Sequence, residues 1–287
     1  MSDDESSSKS NGPMVSTTII LDGSYFFLAL YNKLEGQWKK KSSLEKHKNQ
    51  YFDGYEFVNF FMENIKIFMR ELIVSFKMQS NVNDKDRKCK VFMTKGSKTS
   101  WRNNVLGDYK HSISPKIMPL LDIIFKDNIG LDDIEIYQNF NLESDDCIAI
   151  LVNKLLDKNP DMFIHIVSKN KRLIQLETEQ ISIVDINKKS VRENSNILSS
   201  SVLFSANKFL FFLILKGDEE HCLPRVFYDE KTDIEYDNYY DNNDLIAEEC
   251  EDIILAERLR NNYLICDYNS IPKKLVINFV KNNTRII

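Results

Sequence analysis

The chain has 287 residues, 43% of them hydrophobic and 28% charged, with 8 Gly and 6 Pro. That is ordinary globular composition, enough for one large α/β domain or two smaller ones, and it excludes collagen-like and Pro/Gly-rich disordered chains. The longest purely apolar run, residues 209–215, is far short of the roughly 20 residues of a membrane span, so no membrane partner is expected. No charged-then-apolar leader opens the chain, so secretion is not expected either. The five cysteines (Cys89, Cys147, Cys222, Cys250, Cys266) are odd in number and form no CxxC pair, which points to free thiols in a reducing intracellular compartment: cytoplasm, nucleus or a viral replication site. The richness in Asn, Lys and Ile suggests an AT-rich, viral or phage-like source.

The net charge of −5 conceals an asymmetry. Residues 217–257 hold 15 acids against Arg225 and Lys231, so the remainder of the chain is basic. Lys33–Gln50 carries six Lys against two Glu, and Asp86–Lys110 seven basic residues against two Asp. Clustered Lys and Arg are the footprint of phosphate binding, and also of a plain solvated face.

In chain order, residues 1–15 read as a disordered Ser/Asp-rich tail. TTIILD, ending on Asp22, predicts a buried strand; SYFFLALYNK a helix; Tyr55–Phe76 a long amphipathic helix. KCKVFMT is a second strand, followed by a polar, basic stretch over 95–115 and a helix from Pro115 to Lys126. IEIY is a third strand, Glu143–Leu156 a helix with acids in its first turn, and MFIHIVS a fourth strand. KRLIQL reads as a short helix, ISIVDI as a fifth strand and Phe204–Leu215 as an apolar helix. Alternation of strands and helices predicts a mostly parallel central sheet with helices on both faces over 16–216. An acidic loop and a small helical C-terminal subdomain are expected over 217–287.

Acids recur at the ends of these elements: Asp22 after the first strand, Glu143, Asp145 and Asp146 opening a helix, and Asp218 after Gly217. Singly, such residues are caps and turn formers. Gathered at the carboxyl end of a parallel sheet, they would repel one another unless cations lay between them. Hard oxygen donors suit Mg²⁺ or Mn²⁺, and a pair of such ions is the usual apparatus of phosphodiester hydrolysis.

Five stations in sequence, ILDGSYFFLALYN, VFMTKGSKTSWRNNVLGDYK, ESDDCIAILVNKL, IVSKNKRLIQL and LKGDEEHCLPRV, resemble the flap-endonuclease (5′-nuclease, PIN-like) superfamily, and within it the T-even phage ribonuclease H type. The closing YLICDYNSIPKKLVINFV is similar to the C-terminal segment of those enzymes. The resemblance implies metal ligation by Asp22, Glu143, Asp145 and Asp218, with Asp146 beside them, and an arch over 95–115 that handles a 5′ strand. On it, Lys95, Lys98, Arg102 and Lys110 are expected to contact phosphates. Trp101 is a candidate for base stacking or for anchoring the arch in the core, and Tyr25 has the same choice.

The match departs from the family at the chemistry. Met93 stands at the position that is usually Asp after the second strand, with Thr94 beside it, and the fourth station carries Asn170 and Arg172 in place of two acids. His221 replaces a further, peripheral acid after the GD station. An Asp-to-Arg exchange beside a dication costs several kcal/mol even when well screened, since a unit pair at about 4 Å is worth about 1 kcal/mol in water and about 4 at an effective dielectric of 20. Arg cannot relieve this by deprotonating. Arg172 is therefore expected to pair with Asp218 or the Glu143 cluster and to stand in for one metal.

Three readings follow. The leading one is a catalytically degenerate fold member that binds single-stranded or 5′-ended DNA or RNA. The second is an active 5′ nuclease using Mg²⁺ or Mn²⁺ at a weak or single-ion site. The third is a scaffold whose acidic 217–257 strip meets a basic protein partner. The scattered His47, His111, His165 and His221 form no ligand spacing, and His165 is expected as a satisfied core residue.

Overall fold

The computed structural model describes residues 17–41, 55–79, 89–110, 118–126, 134–193, 205–228, 233–242, 246 and 252–284. The expected tail over 1–15, residues 42–50 of the Lys-rich 33–50 segment, the end of the arch (111–115) and parts of the acidic segment lie outside these.

The core is a five-stranded sheet in the order β3-β2-β1-β4-β5. Its strands are β1 Thr17–Asp22, β2 Lys90–Lys95, β3 Glu135–Gln138, β4 Phe163–Val167 and β5 Ile181–Val184. Every pairing is parallel, and β1 sits at the centre between β2 and β4. The expected α/β architecture is the observed one.

Alternation along each strand sends residues to two different cores. Ile19 and Leu21 of β1 join Val91 and Met93 of β2 and Val167 of β4 on one face. There they meet α1 (Gly23–Lys41), α2 (Tyr55–Gln79) and α3 (Met118–Lys126). Along α2, Phe57, Phe61, Ile65, Met69, Leu72 and Phe76 recur every three or four residues and are all buried, which explains why so long a helix is held flat on the sheet. Ile20, Phe92, Ile164 and Ile166 point the other way, against α4 (Ser144–Lys158). That second core also takes in Tyr268, Ile271 and Phe279, so the C-terminal segment packs on the sheet domain itself.

Past β5, the chain forms α5 (Ala206–Lys216), α6 (Asp233–Asp241), α7 (Ile253–Cys266) and α8 (Lys273–Asn282). Gly217 ends α5 at φ +70°, and a Cβ there would lie 2.5 Å from the Leu223 carbonyl oxygen. The tight turn needs glycine, and it fixes the Asp218–Leu223 bridge that follows. His165 is satisfied as expected: Nδ1 lies 2.7 Å from Ser182 Oγ, and the ring stacks on Phe76.

Candidate functional site: a carboxylate centre closed by two arginines

The carboxyl ends of β1, β2 and β4 converge on the N-terminus of α4. Glu143 is the N-cap of that helix, and Asp146 closes a capping box by accepting from the Glu143 backbone N–H at 3.0 Å. The same ESDD run that starts the helix thus packs three carboxylates into its first turn, where the macrodipole favours negative charge. All three are buried.

Two guanidiniums meet them. Arg102 and Arg172 are the largest fully buried side chains of the described residues. Each stands two residues past a polar N-cap opening a 3-10 turn: Ser100 Oγ accepts from Arg102 N at 3.3 Å, and Asn170 Oδ1 from Arg172 N at 3.0 Å. Both turns bring their arginines to the first turn of α4, where they share Glu143.

Arg102 donates from Nη1 and Nη2 to the two Asp146 oxygens at 2.8 and 2.7 Å, a bidentate fork. Nη1 also reaches Glu143 Oε1 at 3.1 Å, and Nε donates to the Ile265 carbonyl at 2.9 Å. Arg172 Nη2 lies 2.9 Å from Asp145 Oδ2 and 3.4 Å from Glu143 Oε2, while Nη1 donates to Tyr109 Oη at 2.8 Å. Tyr109 passes the contact on, donating to Glu143 Oε2 at 3.2 Å. Neutral donors share the same oxygens: Ser100 Oγ on Glu143 Oε1, Trp101 Nε1 on Asp146 Oδ2, and Asn170 Nδ2 and Tyr268 Oη on Asp145 Oδ2.

Electrostatics follow the geometry. Burial works against the charge on Arg102 and Arg172, yet the carboxylates, Asp146 for the first and Asp145 for the second, hold both above their ordinary range. Burial pushes the Asp146 carboxyl up to about 6, with Arg102 pulling it back. Tyr109 and Tyr268 are driven upward by burial and stay neutral donors.

Asp22 lies just outside this lock. It accepts from Ser168 Oγ at 2.7 Å and from the Tyr25 N–H at 3.3 Å, and burial raises its carboxyl above the usual value. Asp218 accepts from His221 Nδ1 at 2.7 Å, and that ring stacks on Tyr109. Of the two expected partners for Arg172, it is the Glu143 cluster that the structure joins to it.

Several sequence expectations are corrected. Arg102, expected to project toward phosphate, has no exposed surface and is spent on Glu143 and Asp146. Trp101 is buried, its indole N–H committed to Asp146; of its two readings, anchoring is the one found. Met93 is not at the site: it pairs with Leu21 and shares that residue's apolar core, because alternation sends it to the face opposite Asp22. The residue in register with Asp22 is Thr94, whose hydroxyl lies 2.6 Å from Ser144 Oγ. Lys110 is exposed and holds the His221 carbonyl through its backbone N–H. Lys98 lies 3.1 Å and Lys95 3.9 Å from Asp122. Sequence reasoning missed Ser100, Tyr109, Tyr268 and Ser168. All four lie inside segments that carry the resemblance: Ser100 and Tyr109 in VFMTKGSKTSWRNNVLGDYK, Ser168 in IVSKNKRLIQL and Tyr268 in YLICDYNSIPKKLVINFV.

The donor set is already engaged in this arrangement. The Glu143 and Asp146 oxygens and Asp145 Oδ2 already accept from guanidinium, hydroxyl, indole or amide groups, and no cluster of three His, Cys, Asp or Glu among the described residues is arranged to hold a metal.

No family model matches the chain. It is 29% identical over 181 residues to flap endonuclease Xni of Pseudoalteromonas translucida, covering 62% of this chain and 68% of that one. It is 31% identical over 137 residues to a 5′-3′ exonuclease of Buchnera aphidicola, covering 45% of each, so it spans under half the length of that relative. Two solved structures share the fold: a T5 5′-exonuclease mutant (TM-score 0.59) and a bacteriophage T5 flap endonuclease in complex with DNA and metal ions (TM-score 0.56). Each is 14% identical, and the alignments cover 94% of this chain and 99% and 98% of the T5 chains.

Proposed function

We propose that the chain is a member of the flap-endonuclease (5′-nuclease) superfamily that binds single-stranded or 5′-ended DNA or RNA with its carboxylate centre locked by arginine instead of loaded with metal. The observation that carries this reading is the seating of Arg102 and Arg172 on Glu143, Asp145 and Asp146. A divalent ion entering there must displace a buried guanidinium that has no neutral form to retreat to. Breaking such a pair by removing one partner costs about 3–5 kcal/mol, so metal affinity would fall by orders of magnitude.

Phosphate contact passes to the cations at the surface, Lys98 and Lys110 foremost, with Lys95 half-buried beside Asp122. Such contacts give binding that weakens steeply with salt and carries little sequence information. A second reading, a nuclease dependent on Mg²⁺ or Mn²⁺, is favoured by the retained acids Asp22, Glu143, Asp145 and Asp218 and by the activities for which the two relatives are named.

One experiment separates them. Labelled 5′-flap and RNA–DNA hybrid substrates are incubated with the full chain in Mg²⁺, in Mn²⁺ and in chelator, while anisotropy follows binding. Retention without cleavage in all three conditions is the expected result. Metal-dependent cleavage that Asp22→Ala abolishes would establish the second reading.

A further inference from the structure

One groove is separate from the arginine lock. It opens at the carboxyl ends of β2 and β3 against the end of α8, with a volume of 590 Å³. That is the size of a small-molecule site, and crevices at the carboxyl ends of parallel strands are where such sheets take ligands. Its lining includes Lys95, Lys98, Asp122, Asn139, Phe140 and Asn282.

Phe140 is 71% exposed. A lone exposed aromatic is common on a protein surface; one on a rigid mount at the rim of a cavity is a different matter. Its backbone N–H donates to Asn139 Oδ1 at 2.9 Å, and Asn139 Nδ2 is tied to the Leu275 carbonyl at 3.2 Å. On the other side Asn141 takes φ 61°, its carbonyl accepts from the Trp101 N–H at 3.0 Å, and the Leu142 carbonyl accepts from Ser97 at 2.8 Å. The loop is pinned at both flanks while its apex ring faces solvent.

The groove is also polar along its length. Lys98, its side chain 68% exposed, supplies a cation that is shared with Asp122 at 3.1 Å, and the last residue of α8, Asn282, also lines the groove. The exposed ammonium of Lys98 can contact a phosphate, and the exposed ring of Phe140 can stack on a base.

We infer that this groove holds one nucleotide unit of a single strand, its base stacked on Phe140 and its phosphate on Lys98. The inference rests on the nucleic-acid-binding reading above and gives it a site.

The test is anisotropy of a labelled 12-nucleotide oligothymidylate and its RNA counterpart on the full chain at low salt. Phe140→Ala lowers affinity about tenfold, the scale of one lost base–aromatic stack. Phe140→Trp retains affinity, and its fluorescence is quenched on binding. Lys98→Ala flattens the salt dependence by about one phosphate contact. An unlabelled duplex of the same sequence competes poorly, because stacking needs an unpaired base. If the wild-type chain binds while Phe140→Ala binds equally well, or if duplex competes as well as single strand, the groove assignment fails and the functional reading stands. If the wild-type chain binds neither oligonucleotide, both fail.

Discussion

Arg172 Nη2 lies 2.9 Å from Asp145 Oδ2, with neither side chain more than 2% exposed. A cation thus neutralises the α4 carboxylates from inside the chain, and Arg102 does the same for Asp146. The carboxylates that the resemblance assigns to metal ligation thus sit in buried ion pairs.

Removing either arginine leaves buried carboxylates without compensation. Arg172→Ala should lower unfolding free energy by about 3–5 kcal/mol, read from urea denaturation. Arg172→Lys should recover only part of it, since one ammonium cannot reach Asp145, Glu143 and Tyr109 as a planar fork does. Equal stability of Arg172→Ala and wild type would show that the pair contributes nothing.

Restoring the acids should restore metal binding, provided they are placed on the correct face. Thr94→Asp, Asn170→Asp and Arg172→Asp together should produce calorimetric Mn²⁺ binding and a Mn²⁺-dependent rise in melting temperature. Met93→Asp in place of Thr94→Asp should instead bury a charge among Leu21, Val91 and Val167 and destabilise the fold by several kcal/mol without metal rescue.

Much of the scaffold was legible beforehand. Strand β1 announced itself by TTIILD, α2 by its repeating phenylalanines, and the 3-10 turn at Lys171–Leu176 by KRLIQL. The site was less so. Whether Met93 or Thr94 faces Asp22 is a question of strand parity, decided by a single residue of register. Arg102 sits in a basic, polar stretch whose composition reads as surface, and its burial depends on Asp146, 44 residues away. Tyr268 reaches Asp145 across 123 residues, a contact that no local pattern encodes.

The pH dependence has a definite sign. The carboxyls of Asp22 and Asp146 are raised by burial from 3.8, the second to about 6. Between about pH 4 and 6 the folded chain therefore holds protons that the unfolded chain releases, and the contribution of these groups to stability falls as pH rises through that window. Asp22→Asn should melt higher than wild type at pH 7, and the gain should vanish below pH 4. A gain that persists or grows at acid pH would contradict the assignment.

Gly217→Ala should destabilise by more than 1 kcal/mol, because the residue is left-handed and its Cβ would meet the Leu223 and Pro224 backbone. Thermal melts of this variant beside Gly107→Ala, where a Cβ meets nothing within 4 Å, provide the comparison.

Manganese soaked into crystals of the full chain, located by anomalous scattering, reads the α4 centre without any assay. The account predicts Arg102 and Arg172 in place on Glu143, Asp145 and Asp146, with no ordered ion between them. Two manganese peaks bridged by those carboxylates, with the guanidiniums turned out to solvent, would contradict it.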